Sequence, residues 1–331
     1  MSGKKGDIRR SLNGVAMTER RKFLGTLMGG AIVGLSSSVW AEAPDSRSAL
    51  PANRASRRPA SGHRGAWQRS IETGLAHIER SVGGRLGVAI LDSQSGLIAG
   101  RRMDERFPMC STFKLLAASA ILERVDRREE NLDRKIVISL DEVLNYAPVT
   151  RTRVGGTGMS LDEVCKAAIT LSDNTAANIM LASLGGPAAL TAFARQLGDT
   201  VTRLDRNEPT LNEEVPGDPR DTTSPAAMVA DMHAILLGDV LSSASRAQLL
   251  AWLVANQTGG ARIRAGLPSD WRIGDKTGSG ERSATNDVAI LFPPERSPIL
   301  VTAYLVESNV PVAKREAALA QVGRLVASNI V

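Results

Sequence analysis

Strand-like sequence lies near both ends of this chain and helix-like sequence fills the space between, an order that few folds accommodate. The stretch "RLGVAILDSQSGLIAGRR" (85–102) reads as a hairpin, two β-branched runs about Asp-Ser-Gln-Ser-Gly. Just before it, "AWQRSIETGLAHIERSV" (66–82) has apolar residues at helical spacing. From 111 to about 255 the spacing stays helical, most clearly in "SLDEVCKAAITLSDNTAANIMLASLG" (160–185), which opens on a capping box from Ser160 to Glu163. Strands then return as "WRIGDKTGS" (271–279), "TNDVAILFP" (285–293) and "PILVTAYLVE" (298–307), and an amphipathic helix closes the chain over about 313–328. The order implies an α+β fold: an antiparallel sheet flanked by helices in α/β/α layers, built from both chain ends, with an all-helical domain inserted. The expected boundaries are 66–110 plus 256–331 for the sheet domain and 111–255 for the insert, with an active site between them. No internal repeat is evident.

The formal net charge of +6 suggests a nucleic-acid partner until its distribution is read. Residues 1–43 carry +4 and residues 44–65 another +4, which leaves −2 on 66–331. Aromatics make up only 3% of the chain, too few for a base-stacking surface, so no nucleic-acid partner is expected. The basic leader has its own explanation. "TERRKFLG" (18–25) sets Arg20 and Arg21 ahead of a short apolar stretch that ends at "AEA" (41–43), a small-x-small cleavage pattern. This resembles a twin-arginine export signal, so a periplasmic or secreted protein with no membrane attachment after cleavage is expected. Residues 44–65, rich in Pro, Ser, Ala and Arg without periodicity, read as a disordered tether.

Two cysteines, Cys110 and Cys165, could form at most one disulfide; the apolar context of Cys110 favours a buried free thiol. His63, His77 and His233 are scattered, so neither a metal site nor a cofactor is expected.

Three stretches carry chemistry. "MCSTFKLLAASAIL" (109–122) puts Ser111 and Lys114 one turn apart on one helix face. "SDN" (172–174) lies between helical runs, and "KTGSG" (276–280) ends a strand. Alone, each has a bland reading: a capping serine beside a solvated lysine, a helix-cap cluster, a hairpin turn. A serine hydroxyl is a poor nucleophile until a base takes its proton. With no suitable histidine, Lys114 can be that base only if burial and cationic neighbours such as Lys276 depress its pKa. Hydrolysis of an acyl-serine then needs a second base for water.

Together, in this order, S-x-x-K, S-D-N and K-T-G form the motif set of class A β-lactamases and penicillin-binding proteins. Residues 66–331 resemble the class A serine β-lactamases, and "RLDRNEPTLNEEVPGDPRDTTSP" (203–225) is similar to their omega loop. The resemblance implies Ser111 as nucleophile, Lys114 within its reach and Ser172 as proton shuttle to the lactam nitrogen. It implies Asn174 for the substrate's side-chain carbonyl, and Glu208 with Asn212 for the hydrolytic water. Lys276 and Thr277 would face the substrate carboxylate, Ser279 would share an oxyanion hole with Ser111, and Tyr146 would gate the cleft. Arg206 and Asp221 match the family's loop-closing salt bridge.

Two departures stand out. Thr285 occupies the place where many members carry an arginine beside the substrate carboxylate, and Arg262 lies where other members supply the replacement guanidinium. Members of the disulfide-type carbapenemase group pair a cysteine before the nucleophile with one at the position held here by Gly280, so that bridge cannot form.

The expected function is hydrolysis of penicillins and cephalosporins through a Ser111 acyl-enzyme, by a monomer whose partner is the small β-lactam substrate. A penicillin-binding DD-peptidase shares the three motifs but has no need of a positioned water, which Glu208 and Asn212 argue against. A non-hydrolytic β-lactam sensor would be expected to carry a membrane span or signalling domain after the leader, and none is read here.

Overall fold

The structure is a computed structural model that describes residues 61–329. The leader (1–43) and the tether up to residue 60 lie outside the described residues. The last residues assigned to the tether are helical instead: α1 spans Ser61–Val82 and so starts five residues earlier than the apolar spacing alone suggested.

Five antiparallel strands make the sheet: β1 (Arg85–Asp92), β2 (Leu97–Arg101), β3 (Arg272–Ser279), β4 (Thr285–Phe292) and β5 (Ile299–Val306). Their order is β2-β1-β5-β4-β3, so the first strand pairs directly with the last, Ala89 opposite Thr302. β3, which carries Lys276 and Thr277, is an edge strand.

The strands lack the polar face of a half-wet antiparallel sheet, and β5 is buried at all eight positions. Helices on both faces are the reason. Leu86, Val88, Ile90, Val301 and Leu305 face one core with Ile71 and Leu75 of α1 and Leu319 and Val322 of α8 (Val312–Asn329). Ala89, Leu91, Val288, Ile290 and Tyr304 face the other, which continues into the helical block. Each fully buried Leu or Ile side chain stabilises such a core by about 1.5–3 kcal/mol.

The helical block comprises α2 (Phe113–Asp126), α3 (Leu161–Thr170), α4 (Asn174–Leu184), α5 (Pro187–Gln196), α6 (Pro225–Leu236) and α7 (Ser243–Val254). α2 is its axis. Residues 113–122 are buried on every side, as expected of a helix apolar all round. The expected capping box is present, with Ser160 accepting from the Glu163 N–H and Glu163 from that of Ser160. α6 packs against the sheet itself, where the Thr302 hydroxyl donates to the Pro225 carbonyl at 2.9 Å. Sheet and helical block therefore share one core, and the described residues fall in one compact unit. Cys110 and Cys165 are both buried free thiols. Among the described residues no single helix is long and apolar enough to cross a membrane.

On α6, Asp231 is buried near Asp199; burial first, and then the charge of Asp199, push its pKa up to about 9. The folded chain thus keeps a proton that an unfolded Asp has lost. Between the ordinary Asp value and about 9 the folded state binds more protons than the unfolded one, so stability falls as pH rises through that window. Asp231→Asn, which stays neutral, should therefore raise the melting temperature more at pH 8 than at pH 5. An equal change at both pH values would show that Asp231 is ionised in the fold.

Candidate active site

Ser111 occupies a 3-10 turn, Cys110–Thr112, that leads into α2. The turn is pressed against the end of β3. A Cβ on Gly278 would lie 2.7 Å from the Met109 carbonyl oxygen, so only glycine allows this approach. The Asn286 amide of β4 adds hydrogen bonds to the carbonyls of Pro108 at 2.9 Å and Met109 at 3.2 Å. Cys110 itself holds φ at +45°, a left-handed conformation that costs about 1–2 kcal/mol for a residue with a Cβ. Ser172, between α3 and α4, is a second, at +57°.

Three chain segments meet at Lys114. Its ammonium is 3.0 Å from Glu208 Oε1 and donates to the Ser172 carbonyl at 2.8 Å and to Asn174 Oδ1 at 2.7 Å. Ser111 Oγ donates to that same Glu208 oxygen at 3.3 Å. Glu208 Oε2 accepts from the Asn212 amide at 2.6 Å. Asn212 Oδ1 is buried without a hydrogen-bond partner, an open acceptor beside the carboxylate.

Lys276 lies across the site, with Nζ 3.1 Å from Ser172 Oγ and 2.9 Å from the Thr277 carbonyl. The Ser172 hydroxyl oxygen also accepts from Lys114 at 3.4 Å and so lies between two buried lysines. Both lysines have depressed pKa values. Burial is the main cause at each; for Lys276 the charge of Lys114 adds to it. The expectation that Lys276 would lower Lys114 needs adjusting, because the neighbour that dominates at Lys114 is Glu208, which raises its pKa and opposes burial.

Arg262 is almost fully buried beneath the end of β3. Nη1 donates to the carbonyls of Gly278 at 2.8 Å and Asn286 at 2.7 Å, and Nη2 to Ser279 Oγ at 2.7 Å. At Thr285 a second guanidinium is present: Arg315 Nε donates to the threonine hydroxyl at 3.1 Å. Thr277 Oγ1 is 2.5 Å from Thr258 Oγ1. Tyr146 is half-exposed at the rim, its carbonyl accepting from the Asn174 N–H at 3.0 Å. Arg206 and Asp221 pair at 2.6 Å, and Arg206 also meets Glu213.

Several supporting residues were not evident from sequence. Asn178 grips the Glu208 backbone from both sides, its amide donating to the carbonyl and its oxygen accepting from the N–H, each at 2.9 Å. A signal existed, since Asn178 follows Asn174 by four residues and shares its face of α4. Thr258 and Glu214 carry no local signal; their partners are distant in sequence. A cavity of about 820 Å3 behind the 203–225 loop, lined by Arg85, Arg220 and Arg282 among others, does not include Ser111.

The arrangement can deliver a serine to a carbonyl, take its proton on a carboxylate or an amine, and protonate a leaving group through Ser172. Comparison with known proteins agrees. A model of the β-lactamase enzyme family matches residues 70–330. The chain is 45% identical over 261 residues to β-lactamase CTX-M-8 of Citrobacter amalonaticus, covering 79% of this chain and 89% of that protein. It is 48% identical over 254 residues to β-lactamase L2 of Stenotrophomonas maltophilia, covering 76% and 84%. Among solved structures, an ancestral class A β-lactamase superposes with a TM-score of 0.78 at 59% identity, over 78% of this chain and 100% of that one.

Proposed function

Because this chain belongs to the class A serine β-lactamases, enzymes that hydrolyse β-lactams, we propose that it opens penicillins and cephalosporins through an acyl-enzyme on Ser111. One observation carries the reading. The Ser111 hydroxyl and the Lys114 ammonium meet a single Glu208 oxygen, while Asn212 holds the other. The substrate carboxylate is drawn to Lys276 and Thr277, with Arg262 behind Ser279. The lactam carbonyl oxygen is held by the backbone N–H groups of Ser111 and Ser279, Asn174 binds the side-chain carbonyl, and Tyr146 borders the entrance. Ser111 Oγ attacks and its proton leaves to the Glu208–Lys114 pair; the Ser172 hydroxyl gives its proton to the departing nitrogen and is resupplied by Lys114, 3.4 Å away. Water held by Glu208 and the open Asn212 oxygen then attacks the ester, and Glu208 takes its proton and passes it to the departing Ser111 Oγ. That open acceptor favours turnover over the stable acyl-enzyme of a DD-peptidase. Residues 1–43 act in this reading as a twin-arginine export signal, the mature protein works as a monomer in the periplasm or medium, and its reaction needs no metal or cofactor.

Purified protein should turn over nitrocefin, and Ser111→Ala should abolish turnover and the covalent adduct together. Hydrolysis by Ser111→Ala at the parental rate would overturn the assignment.

Arg262 completes carboxylate recognition, either directly or by fixing Ser279. Loss of one charge-assisted hydrogen bond costs about 1.5–3 kcal/mol, so Arg262→Ala should lower kcat/KM for a penicillin by about one to two orders of magnitude. Arg262→Lys should recover part of the rate, because it restores charge without the planar fork. A parental kcat/KM in Arg262→Ala would move attention to Arg315, already bonded to Thr285.

A further inference from the structure

Glu214 stands outside the reacting residues, yet its side chain is held more completely than most of theirs. It projects from the omega loop at φ +50° into the turn between β3 and β4. Oε1 accepts from the N–H groups of Arg282 at 3.1 Å and Ser283 at 3.3 Å. Oε2 accepts from those of Ser283 at 3.0 Å and Ala284 at 2.9 Å. A carboxylate receiving several amide N–H groups makes charge-assisted bonds, roughly twice as strong as neutral ones. The fit is close on the other side too. A Cβ on Gly280 would fall 1.8 Å from Glu214 Oε1, so the carboxylate fills the space that any larger residue at 280 would take. Beside it the Glu281 N–H donates to the Asn212 carbonyl at 3.2 Å.

These contacts join the turn that follows Ser279 to the residue that orients Glu208. Asn178 fixes the loop at Glu208 itself, and the Glu214 anchor fixes it beyond Asn212. Ser111, Lys114, Ser172 and Lys276 are held by other elements and have no bond to Glu214. We propose that Glu214 is a positioning residue for deacylation: by locking the omega loop onto the β3–β4 turn, it keeps Asn212 and Glu208 where water must be activated against the Ser111 ester. Acylation depends on it less, because Lys114 stays beside Ser111 as a second base and both are carried by the α2 segment rather than by the loop.

The inference rests on the acyl-enzyme reading above, and its test separates the two. Acylation and deacylation of the parent, Glu214→Ala and Glu214→Gln are measured by rapid mixing with nitrocefin, with intact mass recorded during turnover. Glu214→Gln is close to isosteric and keeps the fold available should the alanine variant fail. It retains one acceptor oxygen and turns an NH2 toward amide donors, so its loss should be intermediate. In the variants acylation should stay within about threefold of the parent while deacylation slows by about tenfold or more, so kcat and KM fall together and kcat/KM holds. The acyl adduct should then dominate the mass spectrum. Parental kcat and KM in both variants, or equal slowing of both steps, would overturn the inference. Turnover of nitrocefin by Ser111→Ala at the parental rate would defeat the acyl-enzyme reading, and this inference with it.

Discussion

Glu208→Ala should stall at the acyl-enzyme. A positioned general base contributes about 10²–10⁴-fold, so steady-state turnover of a penicillin should fall by about that factor. Burial of the pair is the reason the effect is large: Glu208 and Lys114 are both fully buried at the side chain, with no bulk solvent at hand to replace the base. Lys114 remains beside Ser111 with its pKa still depressed by burial, so acylation should continue, more slowly, and load each molecule with one penicilloyl group. Intact mass spectrometry after mixing with excess penicillin reads this directly. Hydrolysis at the parental rate would remove Glu208 from the mechanism.

The second large effect is expected at Asp221. Its carboxylate is fully buried and has three partners: Arg206 Nε at 2.6 Å, and the N–H groups of Asp205 at 2.7 Å and Arg206 at 2.9 Å. Asp221→Ala leaves those donors unmet and puts alanine at φ +58°. Breaking a buried pair on one side costs about 3–5 kcal/mol; because Arg206 keeps Glu213, the lower end is expected here. At this chain size about 3 kcal/mol corresponds to a fall of about 6–12 °C in Tm. Turnover should fall as well, because the loop closed by this pair carries Glu208. Asp221→Asn is the control: it tolerates the positive φ and keeps an acceptor for the two N–H groups, so it should lose less. Unchanged Tm and unchanged turnover in Asp221→Ala would count against a closing role for the pair.

Local sequence was most informative where one segment supplies all the parts. The hairpin at 85–102, the Ser160 capping box and the long helical runs were readable because turn residues, caps and apolar spacing act over a few residues. The start of α1 was not, because Pro, Ser and Arg around 61 give no apolar period to mark it. The short pairings of Phe107–Pro108 with Thr222–Thr223 and of Lys135–Ile136 with Met159–Ser160 were also missed, since two-residue strands carry no period of their own.

Sequence by itself determined the order of elements and, through three short motifs, marked residues that the fold brings together: Ser111, Lys114, Ser172, Asn174, Lys276 and Thr277 each lie in one of them. The tertiary structure decided how those residues act on one another. That Ser111 and Lys114 share a Glu208 oxygen follows from packing the omega loop over α2. The opposition of burial and Glu208 at Lys114 follows from a dry interior that no residue pattern reports. The placement of Arg262 beneath β3 depends on a helix-and-turn segment folding under an edge strand. The anchoring of Glu214 in the 282–284 turn depends on the room left at Gly280. The physical reason is common to all four. Hydrogen bonds and desolvation act across a few ångströms of space, and chain positions dozens of residues apart enter that range only after the core has formed.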